Sequence, residues 1–409
     1  MKIKANNTKV FYNTQIPSDW EVMVLDEMTS LCTNGFVGKA RESYDETGDG
    51  VLYIQGYNVT EGGFNLNGIK KVTKAFHEKN KKSNLKEGDL LTIQTGDIGV
   101  TTIVPKHLEG SNCHALVISR FKMAIASPLF YCHFFNSVTG RRILKTIETG
   151  STMKHLNVGD MINIKLPVPS LPEQKAIARV LSTWDEAIHK NEQIIAQKEE
   201  RKKWLMQNLL TGKKRLNGFQ GGWKEIHLGD MFTERNETKY YDLPLLSIGQ
   251  NGVYPQDESI KKDTSNEDKS KYKRICPGDI GYNTMRMWQG RSALSELEGI
   301  VSPAYTVVTP KKNADSIFFS YLFKMPKMTN LFWRKSQGLV DDTLNCKFKD
   351  FSIVKTMLPP TKEEQSAIAQ MLQSADKEIS LLKAKAEKFR EQKKGLMQVL
   401  LTGKVRVKV

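Results

Sequence analysis

Leu166-Pro167-Val168-Pro169-Ser170-Leu171-Pro172-Glu173-Gln174 opens a long run of apolar and charged residues that closes on Leu209-Leu210-Thr211-Gly212-Lys213, and the pattern then returns. Leu358-Pro359-Pro360-Thr361-Lys362-Glu363-Glu364-Gln365 opens the second run, and Leu400-Leu401-Thr402-Gly403-Lys404 closes it. Glu173-Gln174 matches Glu364-Gln365, Ala176-Ile177-Ala178 matches Ala367-Ile368-Ala369, and Leu205-Met206-Gln207 matches Leu396-Met397-Gln398, all at one offset of 191 residues. Self-similarity at a fixed period marks a repeated structural unit.

Working outward, Asp19-Trp20-Glu21 with Leu25 resembles Gly222-Trp223-Lys224 with Leu228, at an offset of 203. The two offsets differ, so the segments between these anchors differ in length. Each half is thus a variable block, about residues 16–168 and 220–358, followed by a closely repeated block, about 171–215 and 361–406.

The repeated blocks read as helices. Ile177, Leu181, Trp184, Ile188, Asn191, Ile195, Lys198, Lys202, Leu205 and Leu209 alternate steps of four and three, the spacing of a coiled-coil seam. Ile368, Leu372, Ala375, Ile379, Leu382, Ala386, Phe389, Lys393, Leu396 and Leu400 repeat that register. Prolines precede each block, acids crowd its first turn, and Gly212 and Gly403 stand where a C-terminal cap belongs. Each helix is expected to hold about 38 to 40 residues and to measure roughly 60 Å at about 1.5 Å per residue. A narrow apolar seam of that length must be buried against another, and the chain's own repeat is the obvious partner. Asn191 either fixes the register of the pair or is simply tolerated near its middle.

The variable blocks read as α+β. Val51-Leu52-Tyr53-Ile54-Gln55, Leu90-Leu91-Thr92-Ile93-Gln94, Ala115-Leu116-Val117-Ile118 and Tyr305-Thr306-Val307-Val308 are strand-like runs between Gly, Asn and Asp clusters. Both blocks carry a Gly-Asp turn, Gly88-Asp89 and Gly278-Asp279, and both close on a helical stretch, around 128–145 and 316–335. The two variable domains are therefore expected to share a fold and differ in surface. The expected divisions are 1–168, 169–215, 216–358 and 359–409, alternating variable domain and long helix.

Among 409 residues, 61 Lys and Arg oppose 45 Asp and Glu, a formal net charge of +16 that favours a polyanionic partner, nucleic acid foremost. The N-terminus has no apolar core of a secretion signal, and no run approaches the ~18 apolar residues of a membrane span. A soluble, cytoplasmic protein without a membrane partner is expected. Cys32, Cys113, Cys132, Cys276 and Cys346 are widely spaced, with no C-x-x-C pair, and are read as reduced thiols.

No catalytic pattern stands out. The chain has no G-x-x-x-x-G-K-[ST] phosphate loop, no G-x-G-x-x-G turn after a strand and no N-P-P-Y or D-P-P-Y tetrapeptide of amino-methyltransferases. Its histidines are scattered, with His77, His114 and His133 read as core or surface groups, so neither a metal nor a cofactor is expected.

The variable blocks do offer loops rich in amide, basic and aromatic side chains. Gln55, Tyr57 and Asn58, Gln94 and Thr95, and Ser151, Thr152, Lys154 and His155 are the candidate DNA-contacting residues of the first block. Gln250, Asn251, Asn283, Arg286, Trp288, Gln289, Arg291 and Lys335 are those of the second, with the 286–291 segment the strongest signal. Asn and Gln pair bidentately with adenine, Arg and Lys with guanine, and Ser, Thr and Lys reach phosphate. The same residue types also populate turns that touch nothing.

The repeated Leu-Pro-x-Pro and Pro-Pro openings, the Glu-Gln pairs and the closing Leu-Leu-Thr-Gly resemble the specificity subunit of type I restriction-modification systems. Gly150-Ser151-Thr152-Met153-Lys154-His155-Leu156 is similar to that family's G-S-T-x-K-x-L loop. The resemblance spans essentially the whole chain. It implies two similar target recognition domains joined by two long antiparallel coiled-coil helices about a pseudo-two-fold axis. Each domain would read one half of a bipartite, asymmetric site in double-stranded DNA, with half-sites about one helical turn apart. It also implies a non-catalytic subunit that recruits two methyltransferase subunits, to which restriction subunits can add. The second block departs from the pattern with Gly338-Leu339-Val340-Asp341-Asp342-Thr343-Leu344, which has two acids and no base. Arg334, Lys335 or the 286–291 segment would then supply the phosphate contact. Two rival readings are a self-contained methyltransferase or nuclease, which would bind S-adenosylmethionine or metal alone, and a coiled-coil adaptor that recognises protein.

Overall fold

Pro17 and Trp20 lie against Gly403, and Trp223 lies against Gly212, so the ends of the two repeated runs are built into the cores of the variable domains. The computed structural model describes residues 3–4, 7–152, 154–249, 252–258, 267–338 and 343–408. Its contacts divide into two compact units, 1–192 with 384–409, and 193–383. Each unit thus holds one variable domain and one half of each long helix, a division that cuts across the boundaries read from the sequence.

The long helices span Leu171–Leu209 and Lys362–Leu400, 39 residues each. In the first unit they run antiparallel, with Trp184 edge-on to Phe389 at 5.6 Å and Lys393 paired to Asp185 at 2.5 Å. In the second unit they are again antiparallel, with Lys198 on Glu378 and Lys202 on Asp376, both at 2.5 Å. None of the seam positions is exposed. The lysines within the seam remain tolerable because their stems pack while each ammonium finds a carboxylate. Asn191 is buried at 5% exposure.

Each helix ends on a left-handed glycine, Gly212 at φ 70° and Gly403 at φ 67°. A β-carbon on Gly212 would also come within 3.0 Å of the Trp223 ring. Gly212→Ala is therefore expected to destabilise the second unit by about 1–2 kcal/mol, read as a lower denaturant midpoint at unchanged m-value. An unchanged midpoint would show that the ring moves aside freely.

The two variable domains carry the same four-stranded antiparallel sheet. In the first unit the order is Thr101–Ile103, Leu90–Ile93, Leu116–Phe121, Thr29–Asn34. In the second it is Ser292–Leu294, Ile280–Asn283, Tyr305–Pro310, Phe232–Glu234. Glu21–Val24 pairs Lys165–Val168 in one, as Lys224–His227 pairs Lys355–Leu358 in the other. The predicted helical stretches are each two helices, Pro128–Asn136 with Val138–Thr146, and Ser316–Leu322 with Pro326–Lys335. The fold is α+β with an internal repeat. The domains differ in what is added: a mixed sheet of Val51–Ile54, Lys70–Val72 and Asn112–Cys113 in the first, and a hairpin of Leu246–Gly249 with Gly252–Pro255 in the second.

Each domain's core is aromatic. Phe121, Phe130, Tyr131, Phe134 and Phe135 fill one, and Phe232, Phe319, Phe323, Phe332 and Phe351 fill the other. His133 is buried in the first, and burial with the nearby Lys393 ammonium pushes it down to about 3. It is therefore neutral, and Asp185 pairs with Lys393. Among the described residues no helix is long and apolar enough to cross a membrane.

Candidate nucleic-acid interface

The Gly-Asp turn is the foundation of each candidate site. In the first unit Asp89 is fully buried, accepts two hydrogen bonds from Arg120 at 2.7 Å, and caps the turn through the Lys86 N–H at 2.8 Å. In the second, Asp279 accepts from Arg235 at 2.7 Å, from the Cys276 N–H at 2.8 Å and from Thr309 Oγ1 at 2.8 Å. A buried carboxylate persists only when paired and hydrogen-bonded, and here that satisfaction locks the root of the hairpin that follows. Those hydrogen bonds also raise the pKa of each guanidinium above its ordinary value.

The hairpin tips carry candidate residues. In the first unit, residues 94–100 form the tip, and the 150–155 loop is drawn to it: the Leu156 N–H donates to the Gln94 carbonyl at 3.1 Å. Gln94 itself is buried, its side-chain amide donating to Asn34 Oδ1 and the Leu156 carbonyl, both at 2.8 Å. Gln94 is therefore a strut between two loops, a correction to its reading as a DNA-contacting residue. Asn58 is corrected likewise: it is fully buried, accepts from the Gln55 N–H at 3.0 Å and donates to the Asn65 carbonyl at 2.9 Å. An amide with both ends satisfied and no exposure cannot read a base edge without breaking its own loop.

The remaining candidates of the first unit stay at the surface. Thr95, Ser151, Thr152 and Lys154 are exposed, Gln55 and His155 half-buried. Tyr57 is 54% exposed with its hydroxyl on the Gly68 carbonyl at 3.2 Å. Thr152 and Lys154 line a cleft of about 610 Å³ with Gly96, Ile98, Arg141, Lys145 and Glu148. Arg141 and Lys145 went unnoticed in the sequence. They lie on Val138–Thr146 with Arg141 held to the Ile98 carbonyl at 2.9 Å, and only the 3.6-residue helical period of that segment could have hinted that they share a face. Met153 lies outside the described residues.

The second unit repeats this joint with different side chains. The Cys346 N–H donates to the Thr284 carbonyl at 2.8 Å, and Gln337 and Asn345 exchange backbone hydrogen bonds at 3.0 and 2.8 Å. This pairing makes Thr284 the counterpart of Gln94, and Cys346 the counterpart of Leu156. Gly290, at φ 73°, sits under Thr329 as Gly99 sits under Arg141. On that register Thr329 replaces Arg141, Trp333 replaces Lys145, and cations appear on the tip itself. Arg286 and Trp288 are half-buried, Gln289, Arg291 and Lys335 are exposed, and Asn283 ends its strand. The Trp288 indole N–H folds back onto the Met285 carbonyl at 3.1 Å. Gln250, Asn251 and the acidic 339–342 stretch lie outside the described residues.

Among the described residues no group of three His, Cys, Asp or Glu could hold a metal ion. His77 joins Asn84 and Asn112 in a side-chain network, and His114 meets the Tyr53 hydroxyl at 2.9 Å. Two copies of one sheet scaffold, the first with cations on its helix and the second with cations on its hairpin tip as well, define a DNA-binding protein. The model of the type I restriction modification DNA specificity domain matches residues 17–199 and 220–389. A putative type I restriction enzyme MjaX specificity subunit of Methanocaldococcus jannaschii is 26% identical, with 99% of this chain and 98% of that protein covered. The MjaVIII specificity subunit of the same organism is 24% identical over 99% and 97% of the two chains. A solved S subunit of a type I restriction-modification system from M. genitalium superposes with a TM-score of 0.58 at 15% identity, covering 96% of this chain and 98% of its own.

The chain belongs to the type I restriction-modification DNA specificity family. It supplies sequence specificity to a restriction-modification complex and is not itself an enzyme.

Proposed function

We propose that each unit reads one half of a bipartite, asymmetric duplex site, with the loops around the two hairpin tips as the reading surfaces. The observation that carries this is the pair of matched joints, Leu156 on Gln94 and Cys346 on Thr284, which hold dissimilar side chains in equivalent places. Equivalent scaffolds with Lys145 exchanged for Trp333 and cations moved onto the tip would prefer different bases, so the two halves of the site need not be palindromic. Exposed Thr95, Ser151, Thr152, Lys154, Gln289, Arg291 and Lys335 are assigned to DNA, with Gln55, Tyr57, His155, Asn283, Arg286 and Trp288 at the edge of the same surfaces. Two methyltransferase subunits are the partners of the helical region, with restriction subunits able to join, and the complex works in the cytoplasm.

A salt titration of duplex binding by the purified chain tests the reading. Phosphate contacts release condensed counterions, so log affinity is expected to fall with log salt at about 0.9 per phosphate neutralised. Binding that is flat with salt, by a chain that is folded, would favour the protein-binding adaptor instead.

A further inference from the structure

Two carboxylates sit on the cations of the first unit's cleft. Arg141 donates to Glu61 Oε1 at 2.9 Å, and Lys154 lies 3.5 Å from Glu148 Oε2. Glu148 is itself a lining residue of the cleft, and its side chain is only 14% exposed. Withdrawing a carboxylate from water into a groove carries a desolvation cost, so its position against Lys154 is set by the fold and not by solvent. Glu61 reaches Arg141 from the Thr60-Glu61-Gly62-Gly63 turn, from outside the cleft's own lining.

A carboxylate and a DNA phosphate compete for the same guanidinium or ammonium donors, with closely similar oxygen geometry. We propose that Glu61 and Glu148 stand in for DNA phosphates in the free protein, holding Arg141 and Lys154 so that sequence-independent binding is weak until the base contacts add to it. This rests on the assignment of the cleft to DNA. Non-target duplex must displace both carboxylates and then leave them beside its own phosphates, which lowers the affinity for any DNA. A target site makes up the difference through the loops. The device suits a reader surrounded by a vast excess of non-target sequence, where weak non-specific binding keeps the protein available. Because the cations are already partly neutralised, fewer counterions are released from DNA on binding, so the salt dependence is shallower than the number of cations suggests.

The test uses the full chain and a duplex without the target site, titrated between about 50 and 200 mM salt. Glu61→Gln with Glu148→Gln is expected to tighten binding about threefold to tenfold at low salt, as two surface pairs of ordinary strength would. It is also expected to steepen the log–log salt slope by roughly one to two. Glu78→Gln with Glu109→Gln, which breaks two exposed pairs on Lys81 and Lys106 outside the cleft, is the control for net charge alone. Lys145→Ala with Lys154→Ala tests the cleft itself and should weaken binding. If the lysine variant binds as the parent does, the assignment of the cleft to DNA falls. If the lysine variant weakens binding but the Glu61/Glu148 variant is unchanged, weaker, or no different from the Glu78/Glu109 control, the phosphate-mimic proposal is overturned while the cleft stands.

Discussion

Replacing Glu173 by alanine is expected to destabilise the first unit by about 3–5 kcal/mol, the cost of breaking a buried ion pair by removing one partner. Glu173 is 2% exposed at the first turn of its helix and accepts from the Trp20 indole N–H at 3.1 Å. It also accepts from Arg406 at 2.5 and 2.7 Å, and Arg406 in turn clasps Asp19 at 3.0 Å. One carboxylate therefore ties the start of the first helix to the variable domain and to the end of the second repeat. Denaturant unfolding of the variant checks the size. Adding Arg406→Ala should cost less than it does alone, because the guanidinium has already lost its Glu173 partner; a coupling below about 0.5 kcal/mol would sink the clasp as a unit. Gln174 extends the joint, accepting from the Ser127 N–H at 2.8 Å and donating to the Ile125 and Pro169 carbonyls at 2.9 Å. The second unit is built the same way, with Glu364 taking Arg215 and Trp223, and Gln365 taking the Asp315 N–H.

Converting Arg286 and Arg291 together to alanine is expected to relax the reading of one half-site by tenfold or more, while the other half-site is read as before. A bidentate arginine–base contact contributes about 1–3 kcal/mol of discrimination, and removing an arginine that instead neutralises a phosphate would lower the salt slope by about one. Both arginines stand on the tip between Ile280–Asn283 and Ser292–Leu294, whose root is locked by Asp279. The tip should therefore keep its conformation without them. Competition binding across duplexes carrying single-base changes in each half measures the effect. An equal loss across both halves would refute the assignment of separate half-sites to separate units.

Much of the architecture was readable from residue order. The four-three stepping of apolar residues revealed both helices and runs to Leu209 and Leu400, where they end, since a seam that long has no stable fate except burial. The strand-like runs of both variable blocks became strands, and Gly212 and Gly403 took the left-handed caps their positions suggested. The candidate site was less legible. Asn58 and Gln94 have the composition of DNA-reading amides, yet a hydrogen-bonding side chain satisfies a loop as readily as a base, and composition does not say which. Arg141 and Lys145 were missed because nothing local distinguishes a cation that lines a cleft from one on an open helix face.

By itself, the sequence determined the repeat, the seams, the caps and the family, because each depends on the spacing of residues along the chain or on short motifs. The tertiary structure alone decided which groups meet: Glu173 with Arg406, 233 positions apart, and Gln94 with the Leu156 carbonyl, 62 apart. Such pairings depend on packing across elements, where the partner of a charge or an amide is chosen by burial and geometry and leaves no periodic trace.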